Sequence, residues 1–293
     1  MLEYGVPVLA AVALWWLSTG VILYLDGLPT STFRWSMLGA SILAAAALAG
    51  LVATRDMVTP LGAYLAFACG LIVWGWQAMS FYMGYITGPR TTACPPHCTG
   101  WQRFWAACET NITHEICIAA GALALVAITD GAGNQLGVWT YVVLWWMHLS
   151  GKLNVFLGVP NLSEEFIPEH LAYLRSYMAR RPMNLLFPFS VTISTLVTGW
   201  LFVLAARQVP GSFEAIAYTL IATLMVLAVL EHWLLVLPLQ AMALWNWSLA
   251  SRPPQARLAG SDAVDPLEPE LRRQRPHVLI PAPASPAAKP SSA

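Results

Sequence analysis

Charge is scarce in this chain. Only 10% of its 293 residues are Asp, Glu, Lys or Arg, where a soluble domain carries about 25%. Basic and acidic residues cancel to a net charge of zero, so no global field draws the protein to nucleic acid. The first apolar run has no basic segment ahead of it, is too long for a signal-peptide core, and ends at Tyr24-Leu25-Asp26 without a small-residue cleavage site. It is therefore expected to be a membrane span and not a cleaved leader. There is no internal repeat. The closely spaced histidine boxes of membrane di-iron hydroxylases are missing, and His114-Glu115 is not a zinc-protease motif because position 118 is Ile118.

What is abundant is apolar. Hydrophobic residues make up 57% of the chain, the mean hydropathy is +0.59, and there are 14 tryptophans. Some of these suit membrane–water interfaces; Trp74 and Trp76, in mid-segment, suit a flat apolar partner. A bilayer core needs about 20 apolar residues in a helix, and seven stretches qualify: about 5–25, 34–54, 59–86, 104–129, 136–157, 184–206 and 213–237, the last with a helical extension to near Ala250. Asp26-Gly27-Leu28-Pro29, Asp130-Gly131-Ala132-Gly133-Asn134 and Val209-Pro210-Gly211-Ser212 are the turns between them. Pro60 fits the first turn of the third span, and Pro238 ends or kinks the seventh. The fold class is all-α: a polytopic membrane bundle of about seven helices over residues 1–250, with an amphipathic helix after span five. Residues 251–293, rich in Pro, Ala and Ser, read as a disordered tail in which Arg272-Arg273-Gln274-Arg275 can touch anionic lipid.

Lys and Arg divide 2 against 13 between the two sides of a seven-span layout, with only Arg55 and Arg207 on the N-terminal side. The positive-inside rule then puts the N-terminus in the periplasm and the C-terminus in the cytoplasm.

Ionisable groups at membrane depth are costly, and each is a functional candidate by default. From the rise of about 1.5 Å per residue, His114 and Glu115 lie roughly 15 Å into span four, and His148 lies about 18 Å along span five. Glu231 and His232 lie about 27 Å along span seven, with His170 in the loop just below. Asn111, one turn from His114 and Glu115, can bond either. Lys152 shares a helix face with His148, and Asn154 comes two residues later. The Lys152 ammonium needs an acidic partner; Glu115, Glu165 and Glu231 are available, with Glu165 preferred because the Gly158-Val159-Pro160-Asn161 turn can fold the next helix beneath span five, and Glu231 second. Glu165 and Glu169 are four apart if that segment is a helix capped by Ser163, continuing to Tyr177.

Three accounts of the cluster stand open. It can be a structural polar network; a metal site using His114, His148, His170, His232 and Glu115 around an ion such as non-haem iron or zinc; or a tetrapyrrole site with one axial His and Trp faces around it. Cys94, His97 and Cys98 supply half of a tetrahedral zinc set, or simply a Pro-rich turn with two thiols. Cys69, Cys108 and Cys117 read as small core residues.

The chain also carries a long pattern: Thr87-Gly88-Pro89-Arg90, Cys94-Pro95, Cys98-x-Gly100-Trp101-x-Arg103-Phe104, then His114-Glu115, Lys152-Leu153-Asn154-x-Phe156-Leu157-Gly158-Val159-x-Asn161-Leu162, and Glu165-Phe166-x-Pro168-x-His170-Leu171-x-Tyr173-Leu174-x-Ser176-Tyr177. In these residues, and over about 5–250, the chain resembles the PuhE-type photosynthetic complex assembly proteins of purple phototrophic bacteria. The resemblance implies a multi-pass protein of the inner (intracytoplasmic) membrane, acting in bacteriochlorophyll supply or in assembly of the reaction centre and light-harvesting complex. Implied partners, besides lipid, are subunits of those complexes and pigment-synthesis enzymes; the implied ligand is bacteriochlorophyll or a precursor. No reaction is carried over with it. The competing class is a membrane metalloenzyme acting on a tetrapyrrole or isoprenoid-like substrate.

Overall fold

Eight α-helices account for most of the computed structural model, which describes residues 2–162, 164–239 and 241–252. They are α1 (Leu2–Asp26), α2 (Phe33–Thr54), α3 (Pro60–Tyr82), α4 (Gly100–Glu109), α5 (Ile112–Ile128), α6 (Leu136–Leu157), α7 (Leu186–Ala206) and α8 (Phe213–Leu234). Among the described residues there is no named strand, only an isolated bridge between Val159 and Arg180. α1, α2, α3, α7 and α8 are long and apolar enough to cross a membrane, and the pair α4–α5 makes a sixth if taken together. α6 has comparable length but is not among them, because His148, Ser150, Lys152 and Asn154 crowd its second half. The multi-span all-α bundle is as expected; length and composition support five or six crossings where seven were expected.

Local signals set several boundaries. The Thr59 hydroxyl accepts from the Gly62 N–H at 3.2 Å, and Pro60 occupies the first turn of α3. Ser212 caps α8 in the same way through Ala215. Asn134 ties two turns together: its amide donates to the carbonyls of Thr54 (3.2 Å) and Gly62 (3.0 Å), joining the α2–α3 turn to the start of α6. α3 and α6 cross closely because Gly70 lies against the Gly137 carbonyl; a Cβ at Gly70 would strike that backbone. Around this crossing the core gathers Phe67, Leu71, Ile118, Tyr141, Leu220 and Leu224. α1 packs on α3 and α8, α2 on α3, and α7 on α8.

Three further expectations change. The single fourth span is two helices meeting at 60°. The reason lies in α4, whose Gln102, Arg103 and Glu109 share ten residues with exposed Trp101 and Trp105; such a helix is too amphipathic to continue inward. Thr110 and Asn111 form the break, and Gly88 passes so close to the Glu109 carbonyl there that a side chain would not fit. The segment after span five is not an α-helix but two 3₁₀ pieces, Glu164–Phe166 and Glu169–Tyr177, divided where Pro168 withholds an N–H. The expected cap, Ser163, lies outside the described residues. Finally, α8 stops at Leu234, ahead of Pro238, and no helix extends to Ala250; the chain returns through 3₁₀ pieces at Ala241–Trp245 and Leu249–Ser251.

That returning strap is folded onto α1. Trp245 meets Trp15 edge-on with centroids 5.4 Å apart, and Trp247 meets Trp16 at 5.6 Å. The Trp16 indole donates to the Leu244 carbonyl at 3.0 Å. Arg252 ends the strap with an ion pair to Asp26 at 3.1 Å and a bond to the Phe166 carbonyl at 3.3 Å. Of the expected tail, residues from 253 onward, including Arg272-Arg273-Gln274-Arg275, lie outside the described residues.

Candidate functional site

Helix ends converge at the Asp26 end of the bundle: the C-terminal turns of α3, α6 and α8 and the first turn of α5. Between them lies a cavity of two lobes. The first, about 320 Å³, is walled by Trp15, Trp74, Phe81, Phe166 and Trp245. The second, about 340 Å³, reaches toward Asn111, Lys152 and the 3₁₀ segment, with Leu171 and Tyr177 in its wall. Phe81, Tyr82, Met147, His148, Phe166 and Glu231 line both, so the lobes meet at a waist. Each falls in the size range of small-molecule pockets, which are mostly apolar with a few placed polar groups.

The clustered histidines do not share one point. His114 is buried, directs Nε2 to the Gln77 carbonyl at 3.0 Å, and leans on Phe81. A carbonyl only accepts, so Nε2 carries the hydrogen there. His170 spends Nε2 on the Tyr82 carbonyl at 2.9 Å and meets Phe33 edge-on; it lines neither lobe. His232 donates from Nδ1 to the Ala228 carbonyl at 2.9 Å, which leaves neutral Nε2 to accept from the Ser150 hydroxyl at 2.9 Å. His148 differs. It stands at the waist against the edge of Trp74, 5.4 Å between centroids, and neither of its nitrogens has a hydrogen-bond partner among the described residues.

Consequently the expected metal set is not assembled: among the described residues no three of His, Cys, Asp or Glu are placed to hold an ion. That covers His114, His148, His170, His232 and Glu115, and also Cys94, His97 and Cys98. The loop holding those cysteines is tied down instead by the Cys94 N–H bonded to the Ser176 hydroxyl (2.8 Å) and by the Tyr177 hydroxyl on the Thr92 carbonyl (3.0 Å). In this region burial pushes the Tyr173 and Tyr177 phenols up from their ordinary value, with Arg90 opposing it at Tyr177; both remain neutral donors at ordinary pH.

Lys152 pairs with Glu115; the side chain of Glu165, the preferred partner, lies outside the described residues. Its Nζ is 2.7 Å from Oε1 of Glu115 and 5.1 Å from the Phe81 ring centroid. Oε2 of the same carboxylate accepts the Trp145 indole at 3.0 Å. The bend explains the partner: with α5 starting at Ile112, Glu115 sits in a first turn at the Asp26 end, level with Lys152 and not at mid-membrane. Glu231, the second choice, faces both lobes beside Trp15. Asn111 lines the second lobe from the N-cap position of α5. Glu169 is exposed on Arg175 at 3.4 Å.

Asn154 is fully buried and donates to Ser190 Oγ at 3.1 Å, next to the Ser150–Ser190 hydroxyl pair at 3.0 Å. That chain, from His232 through Ser150 and Ser190 to Asn154, joins α8, α6 and α7 as a structural network. The serines have no sequence signal beyond being polar in apolar helices. The Trp15, Phe81 and Trp245 walls are equally silent, since an aromatic in an apolar run packs core or cavity alike; Trp74 does face the cavity, whereas Trp76 turns to Ser41 at 2.9 Å.

Residues 1–256 match the family described as "Protein of unknown function (DUF3623)". The chain is 37% identical over 249 residues, 83% of its own length and 90% of the other's, to a Rhodobacter capsulatus protein described as an uncharacterized 30.4 kDa protein in the puhA 5′ region. No solved structure matches.

Proposed function

This chain belongs to the DUF3623 family, and we propose that it is a PuhE-type pigment-handling factor: an inner-membrane protein that holds bacteriochlorophyll or a precursor during supply to, or assembly of, the reaction centre and light-harvesting complex. The observation that carries this reading is His148, an imidazole with no hydrogen bond at the waist of a cavity walled by Trp15, Trp74, Phe81, Phe166 and Trp245. A magnesium tetrapyrrole asks for that combination of one axial nitrogen and flat apolar walls. Of the other clustered histidines, His232 spends both nitrogens inside the protein and His170 lines neither lobe. His114 keeps an unbonded Nδ1 on the first lobe, but only His148 faces both lobes at the waist with neither nitrogen bonded among the described residues, which makes it the ligand of choice. A bound pigment would supply the absorbing ring, His148 would hold it, and Trp15, Trp74, Phe81, Phe166 and Trp245 would pack against it and exclude water. The relative's place beside puhA, a gene of photosynthesis, supports the same setting.

Purification from phototrophic cells in mild detergent tests the reading. The wild-type protein should carry a long-wavelength pigment band, and His148→Ala should lose it by tenfold or more at equal protein level, whereas His170→Ala should retain it. A colourless wild-type protein that also fails to take up pigment would refute the proposal.

Orientation belongs to the same proposal. If α4–α5 and α6 both cross, the basic residues divide 2 against 13, which supports the Asp26 end, and with it the cavity, on the cytoplasmic side, where pigment synthesis and subunit insertion would supply ligand and partners. Cys94, in the loop at that end, should resist a membrane-impermeant thiol reagent in intact spheroplasts and react after lysis. Ready labelling from outside would invert the assignment.

A further inference from the structure

Lys152 gives the second lobe a donor that the described residues leave unspent. An ammonium has three N–H groups. One goes to Glu115 at 2.7 Å; among the described residues no other acceptor meets the remaining two, and the side chain lines the lobe beside Phe81, Val155 and Phe156. Glu115 is held in place by the Trp145 indole, so the pair is fixed and neutral as a unit. A second carboxylate brought to it would leave a net negative charge away from water, which is unfavourable. A hydroxyl would carry its own hydrogen toward Phe81, Val155 and Phe156, whose side chains offer no acceptor. A neutral oxygen that only accepts suits the site: a carbonyl.

The spacing adds the rest. His148 and Lys152 are four residues apart on one face of α6, about 6 Å along its axis. That is roughly the distance from the centre of a porphyrin-sized ring to its edge. A ring held through its centre by His148 and lying along α6 therefore brings its rim over Lys152. We propose that Lys152 recognises a carbonyl conjugated to the rim of the bound ring, setting its rotation in the cavity and selecting keto- or formyl-bearing rings over those without one. This rests on the pigment reading above.

Two probes test it in the purified protein: zinc deuteroporphyrin dimethyl ester, and its analogue with one formyl group on the ring edge. Zinc takes a single axial ligand in such rings, and both esters are uncharged at the rim. Both should bind with a His148-dependent shift of the Soret band. The formyl probe should bind roughly tenfold or more tightly than the plain one, and its carbonyl stretch in resonance Raman spectra should fall to lower wavenumber. Lys152→Met should erase the preference, so that the two probes bind alike, and should abolish the Raman shift. The double variant Lys152→Met/Glu115→Gln, which leaves no charge buried, is the second arm should the single variant fail to fold. Equal affinities and an unshifted carbonyl, with the His148-dependent Soret change intact, would overturn the role of Lys152 alone. No His148-dependent Soret change with either probe would overturn the pigment reading and this inference together.

Discussion

Replacing Lys152 with Met should destabilise the folded protein by about 3–5 kcal/mol, the usual consequence of removing one partner of a buried ion pair. The two side chains are only 22% and 17% exposed, so solvent does little to compensate the carboxylate left behind. Glu115 would keep the Trp145 indole but lose its cation, and the Phe81 face would lose the ammonium above it. Glu115→Gln alone should be harmful for the mirror reason. The two together should recover most of the loss, because the pair repays little more than its own desolvation. Thermal unfolding in mild detergent, followed by helix content, measures all four corners of the cycle. Strict additivity would show that the pair does not couple. The same cycle run with Glu165→Gln in place of Glu115→Gln measures any coupling to the partner expected on turn geometry.

Arg252→Met should have a comparable effect, again about 3–5 kcal/mol, although it sits at the very end of the described chain. The Asp26 carboxyl has no exposed surface and Arg252 has 11%. Without the guanidinium, Asp26 is stranded at the end of α1 and the Phe166 carbonyl loses a donor. Truncation before Arg252 should match the point variant. Asp26→Asn combined with Arg252→Met should be milder than Arg252→Met alone. The readout should be local as well as global: limited proteolysis between Leu239 and Arg252, and a change in tryptophan emission as Trp245 and Trp247 leave Trp15 and Trp16. A variant with unchanged unfolding and an uncut strap would show that the tryptophan contacts suffice.

How much of the structure is legible in the sequence depends on where each group finds its partner. Helices whose fate is decided by apolar content are legible: α1, α2, α3, α7 and α8 stand close to the stretches marked by hydropathy, and Thr59-Pro60 announces the start of α3. The bend at Thr110–Asn111 is not, because Phe104, Trp105 and Ala106 read as one apolar run with α5, while the polar face of α4 shows only in three dimensions. That bend carries Glu115 to the level of Lys152, so the pairing is hidden with it. The histidines can be found but not assigned. His114, His170 and His232 each end on a backbone carbonyl, and a carbonyl is present at every residue, so nothing in the residue types singles out which imidazole stays unbonded. The gathering of polar groups toward one end of the bundle is visible; its division into a structural chain at Asn154, an ion pair at Lys152 and one open imidazole is not.

The strap has a consequence for how the protein is made. Asp26 and Arg252 are 226 positions apart, so α1 is synthesised first and its aromatic face waits for nearly the whole chain. During that interval Trp15 has no Trp245 against it and the first lobe lacks a wall. A growing chain therefore passes through a stage in which every helix is inserted yet the chamber is open on one side. If the cavity holds a pigment as proposed, that stage would let it enter before Trp245 docks against Trp15.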